Sequence, residues 1–289
     1  MRRTGVFAGG AAALAMSLGT APAASAADAV FGGSTSASEA IVFKADKTAK
    51  KLRSAVIAWT AKCGDGQSFP VATEVTASSA SPGFSPAPTD LLMSRNRGGR
   101  FAGKQEGGRD LGDAFAAITV NVAGRLKPKS ASGTLSAEVT VVEKGSGNTQ
   151  TTCRTGRVTW KATRAPGRVY GGKTSQEEPV VAKVDAKRRR VTDLLVSWHG
   201  PCNPEGFARF SESLSNFPAS SSGRFGDTWD ETFKLDGGGS RRFDYSLTGS
   251  LGRRAARGTL HVTVAETDAG GATTGSCDTG GVTWKAATG

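Results

Sequence analysis

Only a few stretches of this chain carry side chains that could do chemistry together. The densest is Asp227-Thr228-Trp229-Asp230-Glu231, an indole ring set among carboxylates. A tryptophan beside carboxylate acceptors suits a saccharide, whose ring stacks on the aromatic face while its hydroxyls donate to the acids. Asp227, Trp229, Asp230 and Glu231 are therefore the candidate ligand-binding residues, and the acids Asp227, Asp230 and Glu231 would serve a carbohydrate-active enzyme if a second carboxylate faced them. Hydrolytic chemistry of other kinds has little to draw on. The chain holds two histidines, His199 and His261, with no Gly-x-Ser-x-Gly elbow and no His-Glu-x-x-His helix. No catalytic residue is assigned. Glu39 with Asp46, and Glu178 with Asp185, lie seven residues apart, an odd spacing that sends the two side chains to opposite faces of a strand. Turn capping or pairing with nearby basic turns is the expected use of these acids.

Basic residues gather in four turns. Lys47, Lys50, Lys51 and Arg53 match Lys187, Arg188, Arg189 and Arg190, and Arg125, Lys127 and Lys129 match Arg253, Arg254 and Arg257. If these turns share one end of the fold they form a patch for a polyanion; if not, they are solvated hairpins. The whole chain is basic, with 37 Lys/Arg against 25 Asp/Glu and a formal charge of +12. Residues 30–163 carry 18 Lys/Arg against 10 Asp/Glu, and residues 167–289 carry 16 against 14. This balance favours anionic envelope polymers, acidic glycans or lipid headgroups as partners. Nucleic acid is not expected as a partner of an exported protein.

The matching turns belong to a larger duplication. Phe31-Gly32-Gly33 returns as Tyr170-Gly171-Gly172, and Trp59 with Cys63 returns as Trp198 with Cys202, at a spacing of 139. The run Cys153-Arg154-Thr155-Gly156-Arg157-Val158-Thr159-Trp160-Lys161-Ala162 returns from Cys277 to Ala286 at a spacing of 124. Two β domains follow, residues 30–163 and 169–289, joined by a short linker at 164–168. If each copy folds alone, the four cysteines pair as Cys63 with Cys153 and Cys202 with Cys277, which fits an oxidising compartment. No zinc site is expected, because there is no Cys-x-x-Cys pair and neither histidine recurs. No cofactor is implied. The start of the chain has Arg2 and Arg3, an apolar stretch from Val6 to Leu18, and Ala24-Ser25-Ala26, which reads as a signal peptide over residues 1–26. No later stretch is long and apolar enough for a membrane helix. The expected location is extracellular, in association with the envelope.

Within each copy the apolar residues alternate at period two. Leu135, Ala137, Val139 and Val141 alternate with Thr134, Ser136, Glu138 and Thr140, and Leu260, Val262 and Val264 repeat the pattern. The recurring Trp59, Trp160, Trp198 and Trp284 fall on inward positions and are read as core. The helix-like stretch from Ala45 to Leu52, matched by Val184 to Val191, reads as a basic hairpin turn. The fold class is all-β: two tandem antiparallel sandwiches of seven or eight strands, with meander barrels as the alternative, and one disulfide stapling the layers of each. The first copy carries 15 extra residues near Ala77 to Thr89, a Ser/Pro/Ala run holding Pro82, Pro86 and Pro88. That run is either tolerated surface or, in an extracellular protease inhibitor, a presented loop.

The shared motifs are aromatic-Gly-Gly-x-Thr-Ser, Trp-x-x-x-Cys, Gly-Arg-Phe, Gly-Thr-Leu and Cys-x-Thr-Gly-x-Val-Thr-Trp-Lys-Ala. Together they resemble a tandem β-rich repeat of exported bacterial proteins of uncharacterised function. The resemblance covers nearly all of residues 30–288 and implies fold and compartment, but no activity and no functional residue.

Overall fold

The structure is a computed structural model that describes residues 28–50, 52–76, 99–111, 113–204, 207–235 and 237–289. The expected signal peptide, Lys51 and the Pro-rich run at Ala77 to Thr89 lie outside the described residues.

The first sheet contains two antiparallel meanders. One is β1 (Ala29–Thr35), β2 (Ala40–Ala45), β3 (Leu52–Cys63) and β4 (Ser68–Thr76); the other is β5 (Arg100–Asp110), β6 (Ala114–Leu126) and β7 (Ser130–Glu143), continued by β8 (Thr149–Arg154) and β9 (Val158–Thr163). The second sheet follows the same path with β10 (Val169–Thr174), β11 (Pro179–Val184), β12 (Arg190–Asn203), β13 (Phe207–Leu214), a two-residue β14 (Phe217–Pro218), β15 (Arg224–Lys234), β16 (Ser240–Leu251), β17 (Ala255–Thr267), β18 (Thr273–Asp278) and β19 (Val282–Ala287).

The expected sandwich is not what forms. In each sheet six strands close into a ring, β3-β2-β1-β9-β7-β8 in the first and β12-β11-β10-β19-β17-β18 in the second, so each half of the chain is a closed barrel extended by edge strands. The reason lies in how the final hairpin strand divides. β8 and β9 both run along β7, but the chain breaks register between them at Thr155–Arg157, where Gly156 takes a positive φ of 64°. Thr155 holds the break in place: its hydroxyl accepts the Ala137 N–H at 2.8 Å and its own N–H donates to the Ala137 carbonyl. Below the break β9 pairs with β1, and above it β8 reaches across to β3.

The disulfides sit where the rings close. Cys63 is the register partner of Cys153 and Cys202 that of Cys277, and each pair is bonded, with Cα atoms 3.8 and 4.0 Å apart. They lock neighbouring strands instead of stapling two layers. Each closes a long loop, 90 and 75 residues in sequence separation, which restricts the unfolded chain. Two such bridges fit an oxidising environment.

The inward positions fill the barrels as the alternation predicts. Trp59, Trp160, Trp198 and Trp284 are fully buried, and around Trp160 pack Phe43 and Phe101 with ring centroids 4.6 and 5.9 Å away. Each buried indole removes on the order of 200 Å² from water, about 5 kcal/mol as an upper bound. Gly124 and Gly133 make room for Trp160, since a Cβ at either would stand 2.5 Å from its ring.

β1, β2, β10 and β11 depart from alternation because they are covered on both faces. Their inner side chains enter the barrels, while Val30, Ala40 and Val42 of the first barrel meet Val181 and Leu195 of the second in a separate apolar cluster. The contact is reciprocal. A Cβ on Gly32 would strike Val181 and Val169, and one on Gly171 would strike Val42 and Val30, the same positions exchanged. This is the geometry of an isologous dimer interface inside one chain. Among the described residues no helix is long and apolar enough to cross a membrane.

Candidate functional site

The two hairpin turns that carry Lys47 and Lys187 are built alike. In the first, the Ala49 N–H donates to the Asp46 carbonyl at 2.8 Å, and the Asp46 carboxylate accepts the Lys50 N–H and the Thr48 hydroxyl, both at 2.6 Å. Asp185 does the same for Arg189 and Arg190 at 2.7 and 3.3 Å. Ala49 and Arg188 occupy the left-handed region at φ 54° and 57°. The expected capping role of Asp46 and Asp185 therefore holds, and it leaves Lys47, Lys50, Lys187 and Arg189 exposed on rigid tips.

Hydrogen bonds through the linker gather all four basic turns at one pole. Arg164 donates its N–H to the Lys129 carbonyl at 2.9 Å and its guanidinium to the Lys47 carbonyl at 3.3 Å, which ties the β2–β3 turn to the β6–β7 turn. Further along, Val184 donates to the Arg168 carbonyl at 2.9 Å, bringing in the β11–β12 turn. Gly167 donates to the Thr288 hydroxyl at 2.8 Å, and Thr288 donates to the Arg254 carbonyl at 3.0 Å, bringing in the β16–β17 turn. Arg188 and the Tyr170 hydroxyl both donate to Gly252, which closes the last two turns on each other. The pole thus collects Lys47, Lys50, Arg53, Arg125, Lys127 and Lys129 from one barrel with Lys187, Arg188, Arg189, Arg190, Arg253, Arg254 and Arg257 from the other.

Sequence reasoning missed part of this surface. Arg164 and Arg168 belong to the linker, where the sequence pattern marks no site. Arg100 and Arg224 begin β5 and β15 at the same end. Along the outer faces these cations stand directly opposite one another: Arg100 is the register partner of Arg125, and Arg257 that of Lys285. Like charges opposed across a ladder are destabilising. Asp28 offsets one of the turns by pairing with Arg53 at 3.2 Å.

The acidic candidates divide. On β15, Trp229 and Glu231 face the side of the sheet that carries Tyr245 and Phe243, their register partners. Trp229 stacks on Tyr245 with centroids 4.8 Å apart and planes at 10°. Asp230 is on the opposite face near Arg242 at 3.8 Å, and Asp227 accepts the N–H of Thr228 at 2.9 Å. The structure brings to Trp229 and Glu231 a carboxylate that the sequence did not single out. Glu212 of β13 accepts the Tyr245 hydroxyl at 3.1 Å. Burial raises the Glu212 carboxyl above the ordinary range, the Tyr245 hydrogen bond opposes that rise, and the nearby Glu231 charge adds to it.

The shared carboxylates Glu39 and Glu178 are buried beside the contact between the barrels, and so do not serve the basic turns. Arg209 donates to Glu178 at 2.8 and 2.5 Å, and His199 lies 3.4 Å away. Burial alone would raise Glu178, but these partners outweigh it and hold it below the ordinary range. For Glu39 burial dominates and raises it, against the Thr60 hydroxyl at 2.6 Å, the more distant Arg209 charge and further hydrogen bonds from Thr35 and the Thr60 backbone. Lys173 crosses between barrels to Glu74 at 2.5 Å. His261 points outward from β17, as its alternation requires, and meets Asp278 at 2.7 Å. Asp278 is held low by the Gly280 N–H and by His261.

Comparison with known proteins adds no analogy: no family model, no curated protein and no solved structure matches the chain.

Proposed function

We propose that this chain is an exported, non-enzymatic protein that docks on an anionic polymer of the cell envelope through the basic pole shared by its two barrels. The observation that carries this reading is the hydrogen-bond path from Lys129 through Arg164 to Lys47, and from the linker through Thr288 to Arg254, which holds four cationic turns on one rigid face. Rigid presentation matters because turns whose backbone is already closed by Asp46 and Asp185 have less backbone entropy to lose on binding. The opposed pair Arg257 with Lys285 supports the same reading, since an anion seated between like charges relieves a repulsion that the free protein carries. Two basic surfaces held together also multiply affinity without new contacts.

The test is co-sedimentation of the protein, freed of residues 1–26, with isolated envelope across a salt series, with and without soluble glycans as competitors. Binding that falls steeply with salt, and is lost when Lys127, Lys129, Arg253 and Arg254 are changed to Glu, is expected. Binding that ignores salt and those changes overturns the reading.

A further inference from the structure

We infer that the cleft between the edge strands β13 and β15 of the second barrel is a binding site for an uncharged saccharide, with Trp229 and Phe233 as its stacking shelf on a floor of buried Tyr245 and Phe243, and Glu212 and Glu231 as its hydroxyl acceptors. This goes beyond docking at the basic pole, and it uses a different face of the molecule.

The argument begins from what lines the cleft. β13 and β15 stand at the two ends of the strand order of their sheet, and the inner side chains of both converge on Tyr245. Trp229 stacks on Tyr245, Tyr245 lies parallel to Phe243 with centroids 6.0 Å apart, and Phe233 meets Phe243 edge-on at 5.7 Å. The shelf is not sealed. Trp229 is half-buried, Glu231 is exposed and Phe233 is 51% exposed, an unusual amount for a phenylalanine within an aromatic cluster. Tyr245 and Phe243, at 4% and 5% exposure, form the floor, so the open parts of Trp229 and Phe233 are the apolar surface offered to the flat face of a sugar ring.

The polar groups fit the rim of the same ligand. The Glu231 charge helps to raise the Glu212 carboxyl, and the Tyr245 hydroxyl is committed to Glu212. Behind them Trp198 is fully buried, and its Nε1–H is directed at Glu212 without making a hydrogen bond of good geometry. Its counterpart in the first barrel, Trp59, donates to Thr73 at 2.8 Å. A buried N–H aimed poorly at a carboxyl that already holds the Tyr245 hydroxyl leaves a polar contact that a hydroxylated ligand can complete.

The first barrel is a built-in control. The positions of Glu212, Trp229, Glu231 and Tyr245 are held there by Thr73, Gln105, Gly107 and Val120, as the matching registers place them. The same scaffold thus lacks both the acids and the aromatic shelf on one side and has them on the other. The ligand class follows from the charges: two carboxyls in one cleft disfavour uronates and phosphates, and neutral sugars remain.

The experiment is a fluorescence titration of the intact protein with neutral oligosaccharides of glucose, mannose and N-acetylglucosamine, and with a uronate oligosaccharide. Saturable quenching by a neutral sugar is expected, insensitive to salt up to about 0.5 M because no ion pair is involved. Trp229→Ala and Glu231→Gln should each weaken it about tenfold or more, while Gln105→Ala leaves it unchanged. Glu231 is exposed, so its variant reports on the site even if Trp229→Ala disturbs folding. No response to any neutral sugar, a response confined to the uronate, or one that survives Glu231→Gln overturns the inference. Loss of salt-sensitive envelope binding in the pole variants leaves this titration untouched, so the two ideas fail separately.

Discussion

Arg209 grips Glu178 with two hydrogen bonds, of 2.8 and 2.5 Å, while both side chains are almost wholly buried, at 4% and 6% exposure. The register partner of His199 is Arg209, and the matching residue Thr60 has Pro70 as its partner, so the first barrel keeps a buried carboxyl, Glu39, with no such guanidinium of its own. Removing one partner of a buried ion pair strands the other. Arg209→Met should destabilise the protein by about 3–5 kcal/mol, and adding Glu178→Gln should recover much of that loss. Urea unfolding of the two variants measures it.

The two carboxyls also predict opposite responses to pH. Glu178 is held below its unfolded value, so its contribution is present above about pH 4.3 and is lost as pH falls through the lower folded value. Glu39 is raised, so the folded state binds its proton more tightly, and stability declines as pH rises from about 4.3 through the folded value. Glu39→Gln should therefore raise the melting temperature at neutral pH and change little below pH 4. Glu178→Gln should lower it at neutral pH and narrow the gap in acid. Melting curves from pH 3 to 8 decide both, and parallel shifts in the two variants would contradict the assignment.

Much of the architecture was legible because period-two alternation is a direct imprint of a one-sided sheet. Leu135, Val139 and Trp160 are where that pattern places them. Ring closure was not legible, because nothing in Cys153-Arg154-Thr155-Gly156 says that β8 will leave β9's line and pair with β3. The contact between barrels had a signal that alternation hides. Ala40-Ile41-Val42-Phe43 and Val180-Val181-Ala182 are unbroken apolar runs, the mark of a strand buried on both faces. The basic pole was half legible: the turns were visible, but their meeting depends on Arg164 and Thr288. Glu212 had no signal at all. Its significance comes from Tyr245, 33 residues away, and its counterpart in the first barrel is Thr73.

Among the glycines, Gly33 and Gly172 are predicted to tolerate no side chain. A Cβ at Gly33 would stand 1.9 Å from the Lys161 carbonyl oxygen, and one at Gly172 would stand 1.9 Å from that of Lys285. Both obstacles are backbone of the strand that joins the two ends of the ring. Alanine at either position should cost about 3 kcal/mol or more, since the ladder between β1 and β9, or β10 and β19, must move apart. Alanine at Gly32 or Gly171 meets only the methyl groups of valines, which can shift, and should cost less. Thermal unfolding of the four single variants ranks them, and equal losses would show that the contact between barrels is as unyielding as the ladder.

The basic pole makes a quantitative prediction about salt. A polyanion that neutralises several fixed cations releases its counterions, so the logarithm of affinity falls linearly with the logarithm of salt, with a slope set by the number of contacts. Lys127→Glu with Lys129→Glu alters one barrel, and Arg253→Glu with Arg254→Glu alters the other. Each pair should shallow the slope by about 1 or 2, and because the tethered surfaces act together each should weaken binding to envelope or polyphosphate by on the order of 100-fold. Altering both barrels should abolish binding. These substitutions leave the backbone carbonyls of Lys129 and Arg254 in place, so the hydrogen bonds from Arg164 and Thr288 that hold the pole remain. An unchanged slope in both pairs would show that the turns, although gathered at one end, do not touch the polymer.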